Sequence, residues 1–304
     1  MFIIMWIVGI IAVACLFLLG FGWLMGGWMQ NSPRTAKPHY DDRDSFRTPA
    51  DLGLSAQAVS VPTPDGLTLA AWYIPAATPD APAVVCMHGG RDDKRYFLPL
   101  APALHKAGYG VLLVDGRCHG DSDDNGIGLT LGLTEKHDVI GGVDFLIKQG
   151  HNWVGALGCS QGGASVVLAA AEDPRIKALL LESTGYYIGR PLEMMAERHV
   201  GFAPKFPARL LTMTAMMRLG FPLRDCLTGR GTQYRVAHKL ADRPVFMLHG
   251  GRDDITSLAD FERYAKLFGP NTRTWVCERG KHCILRRALD DYASMAVNFF
   301  DEVR

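Results

Sequence analysis

The sequence predicts an α/β fold: a doubly wound, mostly parallel sheet with a helical cap insertion and an N-terminal transmembrane helix. Two observations carry this prediction. Short, continuous apolar segments alternate with helix-like segments, which is typical of a parallel sheet covered by helices on both faces. In addition, no charged side chain precedes Arg34, and an apolar run of that length indicates a membrane span.

The composition is that of a folded globular protein. Of the 304 residues, 48% are hydrophobic and 21% are charged, and 32 Lys and Arg against 31 Asp and Glu leave a formal net charge of +1. This balance excludes a disordered chain. It also predicts no nucleic-acid partner, because such proteins usually carry a basic excess. The seven cysteines include no CxxC motif, so they indicate neither a disulfide framework nor a zinc site.

The N-terminal segment is long enough to cross a bilayer. As a helix, the 28 residues of Phe2–Met29 would span about 42 Å, more than the ~30 Å hydrocarbon layer. Trp6, Trp23 and Trp28 lie near its ends, as interfacial aromatic residues do. A cleaved signal peptide, with a basic start and a shorter apolar region, is one alternative and a buried core helix is another. We predict that residues 1–29 form an uncleaved single-span anchor.

A polar, Pro-containing segment at residues 30–55 follows this anchor and shows no periodicity. These features predict a tether. It carries Arg34, Lys37, Arg43 and Arg47. The positive-inside rule therefore predicts that the C-terminal bulk of the chain lies on the cytoplasmic side.

The remaining residues, 56–304, follow the pattern of one α/β domain. Two alternating runs around Pro64-Asp65-Gly66 predict an opening hairpin. Strand-like segments then occur at 83–88, 111–115, 153–158, 176–182, 244–250 and 272–277, and helix-like segments near 95–107, 135–149, 161–171, 257–268 and 285–302. The interruption at about 186–231 predicts a helical cap.

The strongest chemical motif is Gly158-Cys159-Ser160-Gln161-Gly162, between a predicted strand and a predicted helix. Glycines two positions before and after a serine allow the tight turn that exposes its hydroxyl above the sheet. The helix N-terminus then favours developing negative charge. We predict that Ser160 is a nucleophile and that Cys159 packs away from it.

A serine hydroxyl needs a general base and an acid that orients the base. On this type of sheet the chain order is serine, acid, histidine. Strand ends after Ser160 carry Asp253 and His282. These two residues are the predicted acid and base, with Asp254 as the alternative acid.

A glycine-rich turn supplies the last part of the predicted site. His88-Gly89-Gly90 follows a strand, and a backbone N–H there can pair with the N–H of Gln161 as an oxyanion hole. We assign Gly90 as this donor, with Arg91 as the alternative.

In this order and spacing the motifs resemble the α/β-hydrolase superfamily over about residues 56–304, and within it bacterial membrane-anchored serine hydrolases of the esterase, lipase or serine aminopeptidase type. The motifs are HGG (88–90), DGRCHGDS (115–122), GCSQGG (158–163), HGGRD (249–253) and GKH (280–282). The resemblance implies acyl transfer through an acyl-serine, no cofactor, a cap after the sixth strand and a bacterial inner-membrane location. Lys281 departs from the glycine that many relatives have before the histidine.

A metal site is not indicated. The acidic run that begins at Asp121 opens like a calcium loop, but Gly132 stands where the bidentate glutamate would be needed. The expected function is therefore metal-free hydrolysis of a carboxylic ester, either a small molecule or a lipid. Peptide or amide hydrolysis is the nearest alternative, and a non-catalytic binding protein on the same fold is another.

The cap is rich in methionine and large apolar side chains, which suit an adaptable acyl pocket. Packing of the cap helices on the core explains the same residues equally well. The residues in question are Met194, Met195, Met213, Met216 and Met217 with Phe202, Phe206, Leu210, Leu211 and Phe221.

Overall fold

A computed structural model of the chain describes residues 2–30, 48–185, 187–190, 205–284 and 288–304. Its centre is an eight-stranded sheet in the order β1-β2-β4-β3-β5-β6-β7-β8. The strands are β1 (Gln57–Pro62), β2 (Thr68–Ile74), β3 (Ala83–Met87), β4 (Gly110–Val114), β5 (Val154–Cys159), β6 (Ile176–Glu182), β7 (Val245–Gly250) and β8 (Thr272–Cys277). β1 pairs antiparallel with β2, and β2 with β4, whereas all other pairs are parallel. The predicted mostly parallel sheet is confirmed.

The hairpin forms at the predicted turn. Thr63 Oγ1 donates to Asp65 Oδ1 at 2.7 Å and accepts from the N–H of Leu67 at 2.9 Å. Gly66 adopts φ +92°, a conformation that glycine adopts without the steric cost of a Cβ. These contacts reverse the chain so that β1 and β2 pair along their full lengths.

Helices cover both faces of the sheet. The α-helices among the described residues are α1 (Phe2–Gln30), α2 (Ala101–Lys106), α3 (Lys136–Lys148), α4 (Gln161–Glu172), α5 (Lys205–Arg218), α6 (Leu223–Thr228), α7 (Thr232–Val236), α8 (Leu258–Ala265) and α9 (Leu289–Val303). Side chains of α3, α4 and α8 join one apolar cluster, and those of α2 and α9 join the other. The central strands β3 to β7 are buried almost throughout, as a doubly wound sheet requires.

One predicted helix differs in kind from the expectation. The segment near 95–107 begins as a 3-10 helix, Lys94–Leu100, and becomes α-helical only at Ala101. Pro99 lies inside the 3-10 part and has no N–H to continue an α-helical ladder. The final helix begins at Leu289, whereas residues 285–287 of its predicted start lie outside the described residues.

In the described part of the chain, three helices, α5 to α7, lie between β6 and β7, over the interval predicted to be the cap and a few residues beyond it. Met216 and Phe221 are buried there in a small apolar cluster of their own, whereas Met217 is exposed. Packing therefore accounts for these two buried side chains. Residues 191–204, with Met194, Met195 and Phe202, lie outside the described residues, as does the segment 31–47 of the predicted tether.

Helix α1 is long and apolar enough to cross a membrane. Its 29 residues include no charged side chain, and most of its large apolar side chains are exposed. Its buried residues, Gly22, Gly26 and Gln30, all lie in its last three turns, and Cys15, Leu18 and Leu19 before them are half-buried. The free end and the packed end of this helix therefore have different surroundings.

Candidate active site

Ser160 lies on a sharp turn between β5 and α4, and its backbone has φ +51° and ψ −113°. A non-glycine residue with positive φ is strained, and such strain holds a nucleophile out over the sheet. The flanking glycines make room for the turn. A Cβ on Gly158 would lie 2.5 Å from the carbonyl oxygen of Gly162, and a Cβ on Gly162 would overlap the carbonyl of Met87.

The structure brings Ser160, His282 and Asp253 together. The Nε2 atom of His282 lies 2.9 Å from Ser160 Oγ, and its Nδ1 atom lies 2.8 Å from Asp253 Oδ2. The three side chains come from turns after β5, β7 and β8. Because parallel strands place their carboxyl ends at one edge of the sheet, residues far apart in sequence meet there. A continuous hydrogen-bonded path thus joins the hydroxyl to a carboxylate.

Asp253, and not Asp254, is the carboxylate in this path. Its side chain is buried, and its second oxygen accepts the N–H groups of Ile255 and Thr256, both at 2.8 Å. Burial raises the pKa of Asp253, but the hydrogen bond and charge of His282 and these two N–H groups outweigh burial and lower it overall. Asp254 is exposed. The carboxylate is therefore ionised and fixed in orientation.

This arrangement sets the tautomer of His282. An ionised carboxylate only accepts hydrogen bonds, so the proton of the neutral ring lies on Nδ1. Nε2 is then free to accept the proton of the Ser160 hydroxyl. Burial lowers the pKa of His282, while the Cys283 thiol group and Asp253 raise it, and the net direction is well above the ordinary value.

Two thiols lie directly beside the reacting groups. Cys159 Sγ is 2.8 Å from Cys283 Sγ, and these cysteines adjoin Ser160 and His282 in the chain. Cys159 is fully buried, as predicted, and burial raises the pKa of its thiol. The hydrogen bond from Cys159 lowers the pKa of Cys283, with a further contribution from the charge of His282. Cys283 is therefore the more acidic thiol of the pair.

The glycine-rich turn after β3 meets the serine turn. A Cβ on Gly89 would lie 3.5 Å from Ser160 Cβ, and a Cβ on Gly90 would lie 2.9 Å from Gln161 Oε1. The N–H of Arg91 donates to His119 Nε2 at 3.2 Å, so this alternative donor is already engaged. Within the described residues, the N–H groups of Gly90 and Gln161 have no such acceptor.

Two histidines hold this turn in place. His88 Nε2 accepts the N–H of Gly116 at 2.9 Å, and its Nδ1 lies 2.7 Å from the carbonyl oxygen of Gly89. Burial and the neighbouring His88 lower the pKa of His119 to about 3, which keeps it neutral as an acceptor. His119 therefore supports the turn by accepting the N–H of Arg91.

Sequence reasoning missed Glu182, the last residue of β6. Its carboxylate is fully buried and accepts the hydroxyls of Tyr96 at 2.8 Å and Tyr292 at 3.3 Å, together with the N–H of Ile284. Its backbone carbonyl accepts the N–H of Ser160 at 2.8 Å. The sequence signal that could have identified Glu182 is a single carboxylate at the end of the otherwise apolar strand IKALLLE. Glu182 ties the His282 loop to the serine turn.

The described part of the chain contains no group of three or more His, Cys, Asp or Glu residues that could hold a metal ion. A strained serine, a histidine on its hydroxyl, a carboxylate on the histidine and two N–H donors can perform nucleophilic acyl transfer.

Solved structures of similar fold include several hydrolases. An esterase from Pyrococcus furiosus is 20% identical with a TM-score of 0.68, over 89% of this chain and 98% of that one. An enol-lactonase from Burkholderia xenovorans is 19% identical with a TM-score of 0.58, over 80% and 100% of the two chains. An esterase from Exiguobacterium antarcticum is 16% identical with a TM-score of 0.57, over 80% and 99%. At these identities the similarity shows the fold.

A search of curated proteins finds no match to the chain. The sequence model of the alpha/beta hydrolase family, in contrast, matches residues 84–295. That range covers most of the chain, from β3 to α9, and it contains every residue of the site described above. The chain therefore belongs to the alpha/beta hydrolase family.

Proposed function

We propose that the chain is a membrane-anchored serine hydrolase that cleaves carboxylic esters through an acyl-serine intermediate. The observation that carries the proposal is the unbroken hydrogen-bonded path from Asp253 through His282 to Ser160. Membership of a family of hydrolases supports it. Ser160 is the proposed nucleophile, His282 the base and Asp253 the residue that orients the base.

The first step forms a bond from Ser160 Oγ to the ester carbonyl carbon. As this bond forms, His282 Nε2 takes the hydroxyl proton, and the ring becomes a cation that Asp253 stabilises. The carbonyl oxygen becomes an oxyanion. The N–H groups of Gly90 and Gln161 then donate to it, and the loss of one such donor typically costs about 3 kcal/mol of the activation barrier.

Collapse of the tetrahedral intermediate breaks the bond to the alcohol. His282 gives its proton to the departing alkoxide, which leaves as a neutral alcohol, and the acyl group stays on Ser160. Water then attacks the acyl carbon while His282 accepts a proton from it, the bond from that carbon to Ser160 Oγ breaks, His282 returns the proton to Oγ, and the acid is released. The same ring thus acts first as base and then as acid in each half of the reaction.

Labelling with a fluorophosphonate probe tests the nucleophile. The wild-type chain is expected to react once, at Ser160, and Ser160→Ala is expected to abolish labelling. Ser294→Ala, whose hydroxyl donates to the carbonyl of Asp290 on α9, is the control and should label normally. Probe reaction that persists in Ser160→Ala would refute the proposal.

A substrate comparison tests ester specificity. Short p-nitrophenyl esters and aminoacyl p-nitroanilides are offered to the same preparation at matched concentration. Hydrolysis of the esters at least tenfold faster than the anilides supports an esterase. Faster cleavage of the anilides would make the chain a peptidase or amidase of the serine aminopeptidase type. Binding without turnover of either would indicate a non-catalytic protein.

The membrane part of the proposal rests on α1. We assign residues 1–29 as the anchor, 30–55 as the tether and 56–304 as the catalytic domain with its cap, cytoplasmic to a bacterial inner membrane. The packing of the last turns of α1 on the cap supports retention of this helix in the mature protein. Reporter fusions at the C-terminus test the orientation: a fluorescent protein that folds only in the cytoplasm should be active, and periplasmic alkaline phosphatase should not.

A further inference from the structure

The last turns of α1 pack closely against the cap helix α5. A Cβ on Gly22 would overlap Thr214 Oγ1 and lie 2.5 Å from the carbonyl oxygen of Leu211, and a Cβ on Gly26 would lie 2.8 Å from the carbonyl of Ala215. The two glycines form a GxxxG pattern, which lets helix backbones approach closely. Helix α1 therefore fits closely against the backbone of the cap helix α5.

The end of α1 also reaches the loop beside the proposed oxyanion hole. The carbonyl oxygen of Gln30 accepts the N–H of Leu129 at 3.2 Å, and its side-chain amide donates to the carbonyl of Arg218 at 3.1 Å. The Leu129 side chain in turn lies 3.8 Å from the position of a Cβ on Gly90. One side chain thus separates the backbone at the end of α1 from Gly90.

Aromatic and basic side chains mark the level of the bilayer surface. About 20 residues cross the ~30 Å hydrocarbon layer, so a span that begins at Phe2 ends near Phe21, and the packed turns with Trp23 and Trp28 lie at the interface. The guanidinium carbon of Arg91 lies 5.0 Å from the ring centroid of Trp28. Arg91 directly follows Gly90, so the proposed oxyanion hole is at the height of the lipid headgroups.

Apolar side chains are exposed on the cap and on the loop that meets Gln30. Leu223 and Leu227, four residues apart on α6, are 61% and 56% exposed, and Met217 at the end of α5 is 45% exposed. Ile127, next to the loop that meets Gln30, is 54% exposed. Exposed apolar side chains beside a membrane helix are suited to the acyl region of the interface.

From this placement we propose that the substrate is an acyl ester that resides in the bilayer and passes from the leaflet to Ser160 beside the α1–α5 contact. The inference rests on the proposed hydrolase function and adds to it the substrate class and its route. The acyl chain leaves the hydrocarbon layer next to the exposed cap residues, and its ester group meets Gly90 and Ser160 at headgroup level. Helix α1 holds the site at that level.

The test compares two esters with the full-length chain in vesicles of phosphatidylcholine and phosphatidylglycerol. A short p-nitrophenyl ester in solution reports the chemistry, and a fluorogenic oleoyl ester dissolved in the bilayer reports access from the leaflet. Gly22→Leu should lower hydrolysis of the oleoyl ester at least tenfold and leave the short ester within twofold. Gly20→Leu is the matched control, because a Cβ there has no atom within 4 Å, and should leave both rates unchanged.

A second variant avoids any change to the packed contact. The double substitution Leu223→Glu and Leu227→Glu alters two exposed side chains and should also lower only the oleoyl ester rate. A wild-type rate on that ester in either variant, or a parallel fall on both esters, overturns the inference. A wild-type chain that cleaves only the short ester overturns it as well, while the proposed function stands. A chain that cleaves neither ester overturns the proposed function itself.

Discussion

Ser160 and His282 each lie next to a cysteine in the chain, and the cysteine beside His282 affects how the activity depends on pH. The two thiols touch, and Cys283 contributes to the raised pKa of His282. A protonated His282 cannot accept the Ser160 proton, so activity should fall as the pH drops through the pKa of His282. Because that pKa is raised, the fall should begin above the ordinary histidine value.

Substitution Cys283→Ala should move this acid limb to lower pH. The change removes a group that raises the pKa of His282, so the ring stays neutral to a lower pH; a shift of about one pH unit is the size expected for the loss of one close charge. The measurement is kcat/KM for a short ester between pH 5 and 9. Cys15→Ala, within α1, is the control. A shift to higher pH in Cys283→Ala would contradict the account.

At the residue scale, candidate site residues could be predicted from the sequence because each follows a predicted strand. The Gly158-Cys159-Ser160-Gln161-Gly162 pattern and the later Asp253 and His282 are local signals, and a parallel sheet brings such strand ends to one edge. The sequence did not decide between Asp253 and Asp254 as the acid, or between Gly90 and Arg91 as the oxyanion donor. That choice depends on which neighbour buries the carboxylate and which acceptor takes the N–H, and these are tertiary contacts.

At the scale of elements, Glu182 links β6 to the loops that carry the site. Its buried carboxylate accepts from Tyr96, Tyr292 and the N–H of Ile284. An apolar strand that ends in a single glutamate predicts the strand correctly. It does not reveal the three partners, because they come from segments 86 or more residues away.

Substitution Glu182→Leu should destabilise the fold and disturb the base loop. It leaves buried donors without an acceptor, and we expect the free energy of unfolding to fall by about 3 kcal/mol. The melting temperature should then drop by about 6–12 °C for a domain of this size. Glu172→Leu, which removes a half-exposed surface pair with Lys136, is the control and should cost less than about 0.5 kcal/mol. Equal melting temperatures for the two variants would argue against this role.

The alternation of strands and helices was predictable because parallel strands are buried on both faces and read as continuous apolar runs. The type of each helix and the residues at which it begins and ends were less predictable from the sequence. Pro99 determines the 3-10 start of the segment before α2, a backbone effect that apolar periodicity does not record. The helical cap was visible only as an interruption of the strand–helix alternation, since its longest described helix, α5, packs mainly on α1 and α6.

At the scale of the whole molecule, α1 is joined to the catalytic domain by packing as well as by the chain. The sequence predicted its length and apolar character, and it contained the GxxxG pattern at Gly22 and Gly26. It did not identify α5 as the partner, because a pattern of small residues does not specify which surface it will meet. The expected separation of anchor, tether and domain therefore misses the contact between α1 and the cap.

Removal of α1 should destabilise the domain. A chain that begins after Gln30 loses the contact of Met29 with the cap cluster, and the burial of one such side chain contributes about 2 kcal/mol. We expect a melting temperature about 4–8 °C below that of the full chain. A chain shortened to begin at Gly22 keeps the packed turns and should melt near the full-length value. Identical melting temperatures for both shortened chains would mean that the contact contributes nothing.

We propose that Ser160, with His282 and Asp253, forms and hydrolyses an acyl-enzyme. The most direct measurement combines rapid mixing with a p-nitrophenyl ester and intact-mass analysis of the quenched chain. We predict a burst of about one p-nitrophenol per chain, an acyl adduct on Ser160, and a loss of at least a thousandfold in kcat for Ser160→Ala. Undiminished hydrolysis by Ser160→Ala, or an acyl group found on another residue, would contradict the account.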